Sequence, residues 1–98
     1  MVDESTNTIT LQDDLILGTI MDVRKQTISK MQNKSDVIFD FAKVKNFDTS
    51  ALSLMLVLVR EAHHLKLNSI GFSGVHTDMQ KMFKLYGVAD CFKQYIIS

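Results

Sequence analysis

Short runs of strand character and longer runs of helical character alternate three times along this 98-residue chain, and that alternation restricts its fold more than any other property. Thr8-Ile9-Thr10-Leu11 alternates polar with apolar residues and is rich in β-branched side chains, which suits a half-buried strand, and Asp13-Asp14 breaks it. Leu17, Ile20, Met21, Ile28 and Met31 then recur at helical spacing while Arg24, Lys25 and Lys30 fall mostly elsewhere, so residues 17–32 read as an amphipathic helix whose first turn Gly18 weakens. Asn33-Lys34-Ser35 turns the chain into Val37-Ile38-Phe39-Asp40-Phe41, a short apolar strand of the kind found inside a sheet covered by helices. A second helix runs from Thr49 or Ser50 to about Leu65, on the strength of its Leu, Met, Ala and Glu content.

Asn68-Ser69 leads into Ile70-Gly71-Phe72, where Ile70 and Phe72 alternate toward one face as in a strand. Thr77-Asp78-Met79-Gln80 has the Thr-x-x-Gln form of a capping box, and Met79, Met82, Phe83 and Tyr86 follow at i, i+3, i+4 and i+7 as core residues, with Gly87 as the stop. Phe92, Tyr95, Ile96 and Ile97 close the chain as a short helix or strand that packs back on the core. The expected architecture is a single α/β domain over residues 8–98, a small mixed sheet of about four strands packed against three to four helices, preceded by a flexible tail over residues 1–7. With 46% hydrophobic residues, a chain this short supports one core.

Composition excludes several functional classes. Eleven basic and eleven acidic residues cancel, so no broad positive field is available for nucleic acid. The polar, acidic N-terminus lacks the charged and apolar regions of a secretory signal, and the apolar run over residues 54–59 is far shorter than the roughly 20 residues that span a bilayer. A single cysteine, Cys91, forms no internal disulfide and no thiolate metal site. A soluble, cytoplasmic protein without direct membrane insertion is expected.

No catalytic pattern emerges. Glycine-rich phosphate-cradling loops are absent, and no cofactor is expected. His63 and His64 are neighbours on a helix, about 100° apart, and read as solvated rather than as metal ligands. Asp13 and Asp14 near Asp22 and Asp40 lack the spacing of a cation site and read as surface carboxylates. Cys91 follows Asp90, whose charge opposes a thiolate, and reads as a small buried hydrophobe.

What remains is Asp48-Thr49-Ser50-Ala51-Leu52, where polar groups stand between a strand region and the apolar run over residues 51–59. Asp48 or Thr49 can cap the first amides of the following helix, and a hydroxyl there lies at the positive end of the helix dipole, a favourable place for a phosphate. Functional loops of α/β sheets gather at the carboxyl ends of the strands. Residues 44–48 and residues 73–76 are therefore expected on one rim. The first half of the second helix is apolar nearly all round, so it must be buried on several sides or offer surface to a partner.

Phe39-Asp40-Phe41, Phe47-Asp48-Thr49-Ser50-Ala51-Leu52, Ser73-Gly74-Val75 and Phe83-Lys84-Leu85-Tyr86-Gly87-Val88 together resemble the STAS domain family in order and distance, from about Thr8 to Ile97. That family includes the anti-sigma factor antagonists of bacterial partner-switching systems and the small STAS subunit of the Mla phospholipid-transport ABC complex. Both are binding proteins rather than enzymes. The resemblance implies phosphorylation at Thr49, with Ser50 as second candidate, by a cognate serine kinase that is itself often the anti-sigma factor. It implies a partner-binding surface of Asp48, Thr49, Ser50, Ala51 and Leu52, with Asp14 near the position of an acidic partner-binding residue. The other implied reading is a subunit that docks on an ABC-transporter ATPase, since residues 73–88 closely resemble the Mla subunit. Ala51 stands where the family usually has glycine, and the N-terminal strand region is shorter than in many members.

Overall fold

The computed structural model describes residues 6–97, in which strands β1 (Thr6–Thr10), β2 (Asp36–Asp40) and β3 (Ser69–Ser73) alternate with helices α1 (Ile20–Met31), α2 (Ser50–His64), α3 (Thr77–Leu85) and α4 (Ala89–Phe92). A 3-10 turn, Lys93–Tyr95, follows α4. Among the described residues the sheet has three strands in the order β1-β2-β3 rather than about four, and it is wholly parallel rather than mixed. A stub of a fourth strand remains: Ile96 makes a parallel bridge to Phe72, and the Ile97 amide donates to the Phe72 carbonyl at 2.8 Å. The residues just before this stub belong to α4 and the 3-10 turn. β1 begins at Thr6, within the expected tail, and residues 1–5 lie outside the described residues.

The parallel pairing follows from the connections. Each strand returns to the next through a helix, which carries the chain from one end of the sheet back to the other. α1 and α2 pack against each other. Ile9 pairs with Phe39 and Phe39 with Phe72, so one row of side chains faces this helical layer. β2 alternates in burial, with Val37 and Phe39 inside and Asp36, Ile38 and Asp40 half-buried, so it is not the doubly covered strand its apolar run suggests.

Phe72 is the hub of the core. Its ring lies 5.7 Å from those of Phe39 and Phe41 and 6.0 Å from those of Phe92 and Tyr95, while Phe92 also stacks at 4.9 Å on Phe83. These separations are those of favourable tilted and edge-to-face aromatic pairs. α2 adds Ala51, Leu52, Leu54, Met55, Leu58 and Ala62, all buried. Its opposite side, Ser53, Leu56 and Arg60, is exposed, and of these three only Leu56 is apolar.

Several expectations fail for local reasons. α1 starts at Ile20 instead of Leu17, and its buried positions are Val23, Thr27 and Met31, leaving Leu17 and Met21 exposed. In α3, Met79 and Phe83 are buried and Met82 half-buried, but the helix ends at Leu85 and Tyr86 turns out to solvent before Gly87. The capping box does not form: α3 starts with no side-chain cap, and the Gln80 side chain instead donates to the Val75 carbonyl at 3.2 Å. Cys91 is exposed, not buried, because Phe92 takes the inward direction of the single turn of α4 and its neighbour points about 100° away.

Candidate functional site

The parallel register brings the loops after β1, β2 and β3 to one edge of the sheet, where the first two are joined strand-like. The Leu15 amide donates to the Asn46 carbonyl at 2.9 Å and the Asp48 amide to the Leu15 carbonyl at 3.0 Å, a parallel bridge between Leu15 and Phe47. Beside it the Asn46 side-chain amide donates to the Asp14 carboxylate at 3.0 Å. The Thr19 hydroxyl donates to the Asp14 carbonyl, closing the first loop on itself. Asp14 thus lies within the site, partly engaged, while Asp13 is exposed.

Asp48 is the polar centre of this edge. Its Oδ1 accepts from the Ser50 amide at 2.7 Å and its Oδ2 from the Leu17 amide at 3.0 Å. It therefore caps α2 from outside the helix. Thr49, at the capping position itself, makes no side-chain cap hydrogen bond and is exposed. Ser50 is half-buried behind it. Ala51 and Leu52, expected on the docking surface, are buried at 0% and 7% exposure and form its floor, because both lie on the core side of α2. The accessible elements beside Asp48 are Thr49 and the strongly exposed Leu17.

The loops after β2 and β3 share the rim, as the strand order requires. The His76 ring Nε2 lies 2.9 Å from the Val44 carbonyl, tying the start of α3 to the loop that carries Asp48. Gly74 adopts φ +64°, and a Cβ there would come within 2.7 Å of the Ala42 nitrogen and 2.8 Å of the Asp40 carboxylate. That carboxylate accepts from the Ala42 amide at 3.0 Å, so the close approach of backbone at Gly74 is built into the turn.

The Ser50 amide is the main cause that holds the Asp48 carboxyl below its ordinary value of 3.8, followed by the Leu17 amide; partial desolvation opposes them and the Ser50 hydroxyl adds to them. Since the folded value is depressed, the carboxylate stabilises the fold above its ordinary value, and this contribution is lost as the pH falls through the folded value. Thermal scans from pH 7 down to pH 2 are expected to show Asp48→Asn shrinking its stability deficit against wild type in the acid limb. A deficit that stays constant down to pH 2 counts against this role of the carboxylate.

Leu17 and His76 are site residues that the local sequence patterns do not single out. Gly18-Thr19 is the available signal for Leu17, since a helix beginning after Thr19 leaves Leu17 in the loop. His76 has no local signal, because its partner lies 32 residues away. His63 and His64 are exposed near the far end of α2. Among the described residues no three His, Cys, Asp or Glu side chains gather as a metal site, and no helix is long and apolar enough to cross a membrane.

A parallel sheet with a helical layer, and a rim whose polar groups bond one loop to another, define a small α/β domain. The sequence matches the family model of the STAS domain over residues 1–96, and the chain belongs to that family. Its fold is similar to that of the anti-sigma factor antagonist SpoIIAA in its unphosphorylated form, with TM-score 0.71 and 18% identity over 99% of this chain and 82% of that one. The phosphorylated form of SpoIIAA, described as a Bacillus cell fate determinant, aligns with TM-score 0.68 and 21% identity over 99% and 85%. A sulfate transporter family protein from Wolinella succinogenes aligns with TM-score 0.74 and 11% identity over 98% and 79%. No curated protein matches the sequence.

Proposed function

We propose that this STAS domain is a non-enzymatic regulatory module of the anti-sigma factor antagonist type, which binds a cognate serine kinase and is released by phosphorylation at Thr49. The observation that carries the reading is the difference in exposure of the two hydroxyl residues: Thr49 is exposed and makes no capping bond, whereas Ser50 is half-buried. Thr49 is thus the better acceptor of the pair. The kinase would transfer the γ-phosphoryl group of ATP to the Thr49 oxygen, with loss of the hydroxyl proton and departure of ADP. Such a cycle belongs in the cytoplasm, where ATP is available.

The phosphate adds about −1.5 to −2 charge and three acceptor oxygens. The α2 dipole tolerates it, so the fold survives, but next to Asp48 and inside a desolvated interface it is repelled. Mass spectrometry of the protein isolated from its native host is expected to find phosphate on Thr49 and a serine kinase in the same preparation. Against that purified kinase, Thr49→Glu is expected to weaken binding by about tenfold or more, near 1.4 kcal/mol. Equal affinity of the Glu variant and wild type would sink the reading.

One observation favours a second reading, a constitutive subunit docked on an Mla-type transporter ATPase. Leu85 and Tyr86, at the end of α3, are 79% and 56% exposed. A permanent interface there would be insensitive to Thr49→Glu and would be lost in Leu85→Asp, the reverse of what the phosphorylation switch requires. Both readings make the protein a binding module.

A further inference from the structure

Asp48 does more than cap a helix. Its two oxygens reach opposite ways, one to the Ser50 amide at 2.7 Å inside its own segment and one to the Leu17 amide at 3.0 Å, 31 residues away on the loop after β1. Two directional bonds from one carboxylate leave it a single orientation. Leu17 is 79% exposed and is followed by Gly18, so its side chain has little packing to hold it. The residues on either side are held differently: Leu15 by its bridge to Phe47, and Ile20 by its amide bond to the Ile16 carbonyl at 2.9 Å. The Asp48 oxygen supplies the cross-loop bond at Leu17 itself.

Resting on the phosphorylation reading above, we propose that Asp48 is a positioning residue that holds Leu17 on the docking rim, and that a phosphate on Thr49 disengages Leu17 by competing for the Ser50 amide. Thr49 lies between the carboxylate and that amide in sequence. A phosphoryl oxygen on its side chain is a stronger acceptor for a helix N-terminal amide than the carboxylate it would replace, and it repels that carboxylate as well. Deprived of the Ser50 bond, the carboxylate turns toward water and its other oxygen leaves the Leu17 amide. Phosphorylation then alters the rim twice: it adds charge at the start of α2 and frees an exposed leucine on the neighbouring loop. Regulation of this kind would affect partners that touch only the loop after β1.

The test follows backbone amides by 15N–1H NMR in the full chain, comparing wild type, Asp48→Asn, and protein with phosphothreonine installed at position 49 during translation. In the phosphorylated chain the Leu17 amide proton is expected to move upfield and to exchange with solvent about threefold faster or more, the size of one surface hydrogen bond. Asparagine offers one acceptor oxygen where aspartate offers two, so Asp48→Asn is expected to leave either Leu17 or Ser50 unpaired and to reproduce the change at one of them. The Val23 amide, bonded to the Thr19 carbonyl at 3.1 Å inside the helix start, should stay unchanged in all three and report an intact α1. A Leu17 amide that keeps its position and exchange rate in the phosphorylated chain overturns the coupling. That failure is distinct from the failure of the reading beneath it, which is overturned instead by host-derived protein that carries no phosphate on Thr49.

Discussion

Replacing Phe72 with alanine is expected to cost about 3–5 kcal/mol of folding stability, the range for removing a large aromatic from a close-packed core. Phe72 is fully buried and within 6.0 Å, ring to ring, of four other aromatic side chains, so no single neighbour can move into the space it leaves. Its backbone also accepts the Ile97 amide and pairs with Ile96, which means the cavity opens where residues 96–97 are anchored. For a domain of this size, with total stability of about 5–15 kcal/mol, the loss takes the protein close to its unfolding threshold. Urea titration should give a much lower midpoint with an unchanged slope. Leu85→Ala, at a position 79% exposed, should shift the midpoint hardly at all and serves as the control. A loss below about 1 kcal/mol for Phe72→Ala would show that the aromatic cluster is not the centre of the core.

Gly74→Ala is the second large effect, expected at about 2–5 kcal/mol. Two costs combine: a left-handed backbone, at about 1–2 kcal/mol for a residue with Cβ, and overpacking against atoms that cannot swing aside, at about 1–3 kcal/mol. The atoms in question are the Ala42 nitrogen at 2.7 Å and its Cβ at 2.8 Å, which belong to the turn the Asp40 carboxylate organises. Gly87 provides the comparison. It has φ +72° and nothing within 4 Å of where a Cβ would stand, so Gly87→Ala incurs only the conformational part. The difference between the two urea midpoints isolates the contact contribution. Equal losses at both glycines would mean that the loop after β2 yields easily, and that the rim is softer than its hydrogen bonds suggest.

Much of the site is legible in the sequence because its signals are local. Asp48-Thr49-Ser50 breaks an apolar context at the start of a long helix, and the capping chemistry of aspartate is a property of a few consecutive residues. The choice between the two possible caps is not legible. Asp48 takes the role because its carboxylate reaches Ser50 and Leu17 together, and the second of those partners comes from a loop that only folding brings near. Ala51 and Leu52 look like rim residues by their place in the chain, but the direction in which α2 faces its core buries both. Spacing alone assigns Leu17 to a helix, although Gly18 delays the helix start to Ile20.

The sequence by itself determined the order of strands and helices and the position of a hydroxyl pair at the start of α2. These follow from periodicity and from which residues can begin a helix. Tertiary structure decided the rest. It set which of two neighbouring hydroxyl residues is the more exposed, which apolar residues stay outside the core, and which distant loops share one carboxylate. The shared contacts join residues about 30 apart in sequence, such as Leu17 with Asp48 and Val44 with His76, and no local pattern encodes a partner that arrives only when the sheet is assembled.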